Sequence, residues 1–343
     1  MSGETANIAE VAEKISKEIF SFFKWKNSGR YNENFPCHNP EIHSKSGGGG
    51  KSQFKAEHPC DCVFSYYDPY KNRVVYLLVD LKSYASGSIQ KDRIRKALEG
   101  LAKSVDCAES SGDWQKNYVP DDKPWSVNGL LFIYNHDNCF DKDFEGMLGK
   151  IKTESLPVAK GQNLYVVSPL RIKYLMTVCS DIRRLFHEGE MPRDYSFFYP
   201  ELTLHKTSGD QDQYPATIEL LCAPYMIVQW DEYKLPDLDD GHGLPGYIIY
   251  YNQPGSDYFE FLYLIDSLSR YQILNSKKRI MIRIAHDSPD VDAKANFIRA
   301  KSRYISDWGL DEHKRNAIER IGFDIVPSEV SRLTAGALAW RSE

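Results

Sequence analysis

The sequence predicts an α/β fold with two domains, from three observations: length, apolar patterning and aromatic content. The chain has 343 residues, of which 42% are hydrophobic and 27% charged, as in a globular protein with a sizeable core. Aromatic residues make up 13% of the chain, which favours a fold that contains sheet. Apolar runs typical of strands also alternate with stretches of helical periodicity, so we expect both element types in each half.

The first half predicts the order helix, strand, strand, helix, strand. The expected elements are a helix over 5–25, a polar Gly-rich loop over 27–57, a β-hairpin within 58–84, a helix over 88–108 and a strand over 127–134. Within the hairpin, the run Val74–Val79 is apolar on both faces. That pattern is typical of a central strand covered on both sides.

The second half predicts a mixed α/β domain and contains no recognisable motif. The expected elements are strands over 163–167, 195–204, 217–230, 247–251 and 279–285, helices over 170–187, 257–275, 290–308 and 311–320, and an acidic loop over 231–246. We predict domains at 1–155 and 156–343. The role of the second domain is open among recognition, sensing and oligomerisation.

Charge and cysteine content exclude several classes of protein. The formal net charge of −5 excludes a generally basic nucleic-acid coat, so any contact with DNA must use a local patch. Seven scattered cysteines, an odd number, favour free thiols in a reducing compartment. The sequence shows neither a signal peptide nor an apolar run of about 18 residues, so we expect a cytoplasmic protein without membrane contact.

Two aspartates and a lysine meet at one end of the predicted hairpin. Asp61 opens the first apolar run, and Asp80 and Lys82 close the second. Asp80 and Lys82 share a face because side chains alternate along a strand. If the hairpin turns at 70–71, facing residues have numbers that sum to about 141, and Asp61 lies opposite Asp80. Their Cβ atoms would then be about 4.5–5.5 Å apart.

This arrangement indicates a site for a divalent metal and a phosphodiester. Two neighbouring carboxylates repel unless a proton or a cation neutralises them. Mg²⁺ prefers such oxygen ligands and makes its bound water more acidic. Lys82 could orient that water or stabilise the phosphate. The alternative is a pair of solvated aspartates near a turn, but Asp80 ends an apolar run, where an unpaired charge is costly.

The pattern Asp61, 18 intervening residues, then Asp80-Leu81-Lys82 resembles the D-x(n)-(D/E)-x-K signature of the PD-(D/E)XK nucleases, the restriction-endonuclease-like superfamily. The core of that family is a helix, a three-strand meander, a helix and a strand. The resemblance covers residues 5–135 and implies a restriction-endonuclease-like N-terminal core. The residue before Asp61 is Cys60, so the Pro-Asp pair of the family is not intact.

Family members bind their metal through the two acidic residues and use the lysine in catalysis. The resemblance therefore implies that Asp61 and Asp80 are metal ligands and that Lys82 is the catalytic lysine. Many members also use a glutamate on the first helix, for which Glu18 is the best candidate because it flanks the apolar face. The implied cofactor is Mg²⁺, with Mn²⁺ able to substitute.

The resemblance implies a metal-dependent DNA nuclease of bacterial antiphage defence. The expected partners are DNA, a second copy of the chain and a further protein subunit. Two alternatives stay open: a catalytically silent nuclease fold that binds DNA or a partner protein, and a ribonuclease on the same fold. The residues that we expect to contact nucleic acid, unless they form only a solvated face, are Lys51, Lys55, Gln90, Lys91, Arg93, Arg95 and Lys96.

Two further motifs carry less weight. The segment 46–52, SGGGGKS, does not form a phosphate-binding loop because Lys45 stands where the motif requires glycine and no apolar strand precedes it. A group of cysteines and histidines also lies close together in sequence, namely Cys37, His38, His43, His58, Cys60 and Cys62. Their spacings match no ordinary zinc finger or ribbon, so the sequence does not predict structural zinc.

Overall fold

A computed structural model of the chain describes residues 3–43, 45–46, 52–53, 56–119, 123–152, 154, 156–201, 214–234, 241–275 and 278–328. The chain divides into two compact units, with the first ending at Ile172 and the second beginning at Lys173. The sequence places the division after residue 155. The difference arises because a strand at 164–167 pairs with the first sheet and so extends the first unit.

The first unit contains helices on both faces of a five-stranded sheet. Its helices are α1 (Gly3–Phe22), α2 (Lys91–Ser110), α3 (Gly112–Tyr118) and α4 (Phe144–Gly149). Its strands are β1 (Lys26–Tyr31), β2 (Phe35–Pro36), β3 (Lys45–Ser46), β4 (Ser52–Gln53), β5 (Glu57–His58), β6 (Cys62–Asp68), β7 (Arg73–Tyr84), β8 (Trp125–Asn135) and β9 (Leu164–Val167).

The sheet has the order β1-β6-β7-β8-β9. Strands β1, β6 and β7 form an antiparallel meander, while β8 pairs parallel to β7 and β9 parallel to β8. Parallel neighbours need a crossover connection, and α2 lies in the connection between β7 and β8. The predicted order of helix, meander, helix and strand is therefore confirmed.

The register of β6 against β7 is the predicted one. Cys62 pairs with Val79 and Val63 with Leu78, so facing residues have numbers that sum to 141. The turn between the strands occupies 69–72. Asp61, one residue before β6, consequently lies beside Asp80.

Each face of the sheet is covered by a different helix. Leu98 and Leu101 of α2 pack in one apolar cluster with Val63 of β6 and Leu78 of β7. On the other face, Phe20 of α1 makes edge contacts with Phe64 and Phe132, at centroid distances of 5.0 and 5.8 Å. Because side chains alternate along a strand, Asp80 and Lys82 lie on the α2 face with Leu78.

The segment 27–57, predicted as a loop, contains strand structure, so that prediction was wrong in part. Strand β1 pairs with β6 at the sheet edge, and β2 pairs with β5 through Phe35 and His58. The sequence of β1, KNSGRY, shows no apolar alternation because the strand is mostly exposed. This strand is the third member of the meander, which the sequence did not locate.

The second unit is also mixed α/β, as the sequence predicts. Its helices are α5 (Pro169–His187), which contains the unit boundary, α6 (Ile218–Cys222), α7 (Tyr258–Arg270), α8 (Ala293–Trp308) and α9 (Glu312–Glu319). Its strands are β10 (Ser196–Phe197), β11 (Tyr225–Trp230), β12 (Tyr233–Lys234), β13 (His242–Gly243), β14 (Gly246–Tyr251), β15 (Arg279–Ile284) and β16 (Gly322–Ile325).

A five-stranded sheet of order β10-β11-β14-β15-β16 forms the centre of this unit, and its last three strands are parallel. The strand predicted over 217–230 is wrong in its first half, which forms α6. Thr217 caps that helix by accepting a hydrogen bond from the Leu220 N–H at 3.3 Å, and Pro224 separates it from β11. In the part of the chain that the structure describes, no helix has the length and apolarity needed to cross a membrane.

Close packing of α2 on β8 predicts opposite effects of alanine at two glycines. A Cβ on Gly129 would lie 2.6 Å from Leu164 Cδ2 and 2.8 Å from Leu101 Cγ. Gly129→Ala should therefore destabilise the fold by about 1–3 kcal/mol. Gly100→Ala in α2 meets no atom within 4 Å and should stabilise the fold by about 0.5–1 kcal/mol through helix propensity. Urea unfolding measures both, and a Gly129→Ala variant as stable as wild type would contradict this packing.

Candidate active site

The Asp61 carboxylate is built into the edge of the β6–β7 pair. Its Oδ2 accepts a hydrogen bond from the Leu81 N–H at 2.7 Å, and its main-chain carbonyl accepts one from the Asn32 N–H at 2.9 Å. The Oδ2 contact thus ties the Asp61 side chain to the main chain of β7. This contact fixes the orientation of the carboxylate next to Asp80.

Asp80 and Lys82 lie two residues apart on β7 and form an ion pair between Oδ1 and Nζ. Their side chains keep 20% and 32% of their surface exposed. Both groups are thus partly desolvated, yet a ligand can reach them. The ion pair also holds the lysine ammonium beside the carboxylate pair.

Burial and charge raise the pKa of Asp61 to about 6. Burial is the largest cause, and the neighbouring Asp80 raises the pKa further through its charge and a hydrogen bond between the two carboxyl groups. The Leu81 N–H and the Lys82 ammonium oppose the rise. The two aspartates therefore share an environment that disfavours two negative charges.

The same groups keep Lys82 protonated. Burial lowers the pKa of Lys82, but Asp80 and Asp61 more than offset this effect, and the net pKa is raised. Lys82 is therefore a cation at neutral pH. Such a group can donate hydrogen bonds to a phosphate or to water, but it cannot accept a proton.

Asp61, Asp80 and Lys82 line a cleft of about 830 Å³. Clefts that bind small ligands measure roughly 300–1,000 Å³. The sheet contributes Asp61, Asp80 and Lys82, and α2 forms the opposite wall with charged residues that include Lys96, Glu99 and Lys103.

Among the predicted nucleic-acid contacts that the structure describes, Lys96 lines this cleft. Four others, at the start of α2, do not line it: Gln90, Lys91, Arg93 and Arg95. Arg95 pairs with Glu99 at 3.4 Å, and Arg93 lies 6.0 Å from the centre of the Tyr84 ring. Lys51 and Lys55 lie outside the described residues.

The structure does not bring Glu18 into the cleft. It lies half-buried on α1, beside Ile19 and Phe20, and α1 covers the face of the sheet opposite Asp80. Glu18 was predicted because it flanks the apolar stripe of the helix. That position does not predict which face of the sheet the helix covers, because the covered face depends on the tertiary fold.

Sequence reasoning missed Lys103, Glu99 and His43, which also line the cleft. A signal existed for Lys103, since it follows Lys96 by seven residues and two helical turns return to the same face. His43 carried no such signal. It reaches the cleft from a turn that is distant in sequence from α2.

Comparison with known protein families identifies a nuclease domain in the N-terminal part of the chain. A family model described as the GAPS4 protein PD-(D/E)XK nuclease domain matches residues 1–171. The N-terminal domain of the chain belongs to the PD-(D/E)XK nuclease superfamily. No curated protein matches the chain. The matched residues end one position before the boundary of the first unit.

PD-(D/E)XK nucleases generally use divalent metals, and the donor set here fits such an ion. Asp61 and Asp80 offer hard carboxylate oxygens side by side, which is the ligand type that Mg²⁺ and Mn²⁺ prefer. The raised pKa of Asp61 reflects a pair in which a second negative charge is costly. A bound cation would remove that cost.

The Asp61–Asp80 pair predicts a pH-dependent stability in the metal-free protein. The pKa of Asp61 is about 6 in the folded chain against an ordinary 3.8, so its stabilising contribution is complete below about pH 4 and is lost as the pH rises through 6. In EDTA, thermal unfolding of wild type should lose several degrees more between pH 5 and pH 8 than that of Asp61→Asn. Mg²⁺ at pH 8 should restore the loss in wild type.

The exposed Asp141 provides the matched control, because Asp141→Asn should keep the wild-type pH dependence. Equal pH dependence in wild type and Asp61→Asn would show that the carboxylates do not repel as described.

Proposed function

We propose that this PD-(D/E)XK protein is a Mg²⁺-dependent nuclease that hydrolyses phosphodiester bonds in DNA, with Mn²⁺ able to replace Mg²⁺. The observation that carries the proposal is the meeting of Asp61, Asp80 and Lys82 at one wall of an open cleft. The superfamily membership supports hydrolysis of nucleic acid. The lysines of the opposite wall support a substrate with a phosphate backbone.

In this proposal Asp61 and Asp80 hold the metal. The Leu81 N–H keeps the Asp61 carboxylate turned toward Asp80, so the two ligands are oriented before a cation binds. When bound, a divalent cation supplies an acidic water and offsets charge on the phosphate. The protein holds the two carboxylate ligands in fixed positions for this metal.

Lys82 serves as a hydrogen-bond donor in the cleft. Asp80 holds its ammonium group, and the raised pKa keeps it charged. A fixed cation beside the scissile phosphate stabilises negative charge that develops on the phosphate oxygens. The Lys82 ammonium also donates a hydrogen bond to the oxygen of the attacking water. Because Lys82 is already protonated, the proton that this water loses must go to another acceptor.

The biological proposal is antiphage defence, supported by the GAPS4 description of the matched family. The nuclease core in the first unit would cut, and the second unit, which begins at Lys173, would serve in recognition, sensing or oligomerisation. A homo-oligomer would present two sites and could cut both strands, and a second subunit would add a route of control. In this proposal the protein acts in the cytoplasm.

Metal-dependent cleavage should depend on Lys82 and Asp80. Wild type should cut linear or circular duplex DNA with Mg²⁺ or Mn²⁺ and not with EDTA. Lys82→Ala and Asp80→Asn should each lower the rate by about 10²-fold or more, because the first removes a cation at the phosphate and the second removes a charged ligand of the metal. Lys150→Ala, at an exposed position next to α4, provides the control and should cut as wild type. Gel analysis of the products gives the rates.

The same assay separates the rival functions. Retained DNA binding without cleavage by wild type in any metal would favour a silent binding module. Cleavage of RNA in preference to DNA would favour a ribonuclease. Glu18→Gln tests the prediction for the first helix: loss of cleavage would include Glu18 in the site despite its place on α1.

Lys96 and Lys103 should contact the phosphate backbone. Replacing either by alanine should weaken binding of duplex DNA and lower the slope of log K against log salt by about 1, as expected for the loss of one phosphate contact. Fluorescence anisotropy in EDTA measures binding without cleavage. Lys150→Ala, which removes an exposed lysine that does not line the cleft, separates a cleft contact from a general effect of charge. Equal slopes for all three variants would contradict a binding path through the cleft.

A further inference from the structure

Two cysteines and two histidines converge beside the cleft. Cys37 follows β2, His43 lies in the next turn, His58 ends β5 and Cys107 lies in α2. One ligand atom from each residue lies within 4.8 Å of the other three. His43, His58 and Cys107 are buried and Cys37 is half-buried, so the group is largely closed to solvent.

Four of the six distances between the ligand atoms match a tetrahedral zinc site, and the other two are within 4.8 Å. The two Sγ atoms are 3.8 Å apart, His43 Nδ1 lies 3.5 Å from Cys37 Sγ and 3.4 Å from Cys107 Sγ, and it lies 3.3 Å from His58 Nε2. Zn–S bonds of about 2.3 Å and Zn–N bonds of about 2.0–2.1 Å at tetrahedral angles require separations of about 3.8 Å, 3.6 Å and 3.4 Å for the same atom types. A disulfide would need about 2.05 Å between the sulfurs.

Hydrogen bonds on the outer side of each imidazole set its tautomer. His43 Nε2 lies 3.3 Å from Asp106 Oδ2, and the Asn39 side-chain amide also donates to that oxygen at 3.2 Å. A carboxylate can only accept, so a neutral His43 carries its proton on Nε2 and turns the Nδ1 lone pair inward.

His58 follows the same logic. Its Nδ1 lies 3.3 Å from Ser104 Oγ, whose hydroxyl donates to the Gly100 carbonyl at 3.1 Å. The hydroxyl has one proton, so it accepts the Nδ1–H of His58 and leaves the Nε2 lone pair facing inward. Two imidazole lone pairs then face each other at 3.3 Å, which is repulsive unless a cation lies between them.

The sulfur atoms show a similar arrangement. The His38 N–H donates to Cys107 Sγ at 3.4 Å, a contact that stabilises a thiolate. Outer hydrogen bonds of this kind usually accompany zinc ligands and fix their orientation. Soft thiolate and imidazole donors in a closed four-ligand set select zinc over Mg²⁺ and are typical of structural sites.

We propose that Cys37, His43, His58 and Cys107 bind one structural Zn²⁺ ion. This ion joins the segment between β2 and β5 to α2, and His43 places it at the wall of the cleft that holds Asp61 and Asp80. The spacings in the sequence did not predict this site. His38, Cys60 and Cys62 are outside the group, and the fourth ligand comes from a helix that starts more than 30 residues after His58.

Metal analysis of the full chain tests the site. Protein purified without a metal-affinity tag and dialysed against metal-free buffer should retain about one zinc per chain by mass spectrometry of the elements. Cys107→Ser and His58→Ala should reduce the zinc content severalfold. Cys139→Ser, which removes an exposed cysteine, should retain it, as should Asp80→Asn in the proposed catalytic site.

X-ray absorption at the zinc edge of wild type tests the ligands without any variant. The expected shell contains two sulfurs at about 2.3 Å and two nitrogens at about 2.0–2.1 Å. Absence of zinc from wild type, a shell of oxygens, a Cys37–Cys107 disulfide, or full zinc content in both ligand variants would each overturn the proposal. These readouts do not involve cleavage, so their failure is distinct from failure of the proposed nuclease activity.

Discussion

The antiparallel register of β6 against β7 is the constraint on which the candidate site depends. Cys62 faces Val79, and this single pairing places Asp61 next to Asp80 and Lys82 on the same face. A shift by one residue would turn Asp80 and Lys82 away from the cleft, since side chains alternate between faces. The apolar residues of both strands hold the register, because the same shift would turn Leu78 out of the apolar cluster that it forms with Val63 and α2.

That register places the Asp61 and Asp80 carboxylates side by side, and their repulsion lowers the stability of the fold. Burial and repulsion raise the pKa of Asp61, while the Leu81 N–H and the Lys82 ammonium limit the rise. Perturbed pKa values of this kind are frequent at functional sites. In the proposed function a divalent cation relieves the repulsion, and PD-(D/E)XK nucleases generally use such metals.

Helix α2 combines three roles through its different faces. Leu98 and Leu101 pack on the sheet, Lys96 and Lys103 line the cleft, and Cys107 belongs to the proposed zinc site. The two proposed metal sites differ in donor chemistry, with carboxylate oxygens in one and sulfur and nitrogen in the other. A hard catalytic cation and a soft structural cation could thus occupy the same domain without exchanging places.

The sequence by itself determined the order of the core elements, the hairpin register and the spacing from Asp61 to Lys82, because these depend on local apolar patterns and turn position. It did not reveal β1, whose exposed edge has no apolar alternation, or α6, whose apolar residues resemble a strand. Only the tertiary structure decided that α1 and α2 cover opposite faces, which separates Glu18 from Asp80 and adds Lys103 to the cleft. Only the tertiary structure also joined Cys107 to Cys37, His43 and His58, because contacts between residues distant in sequence follow from packing and leave no trace in local spacing.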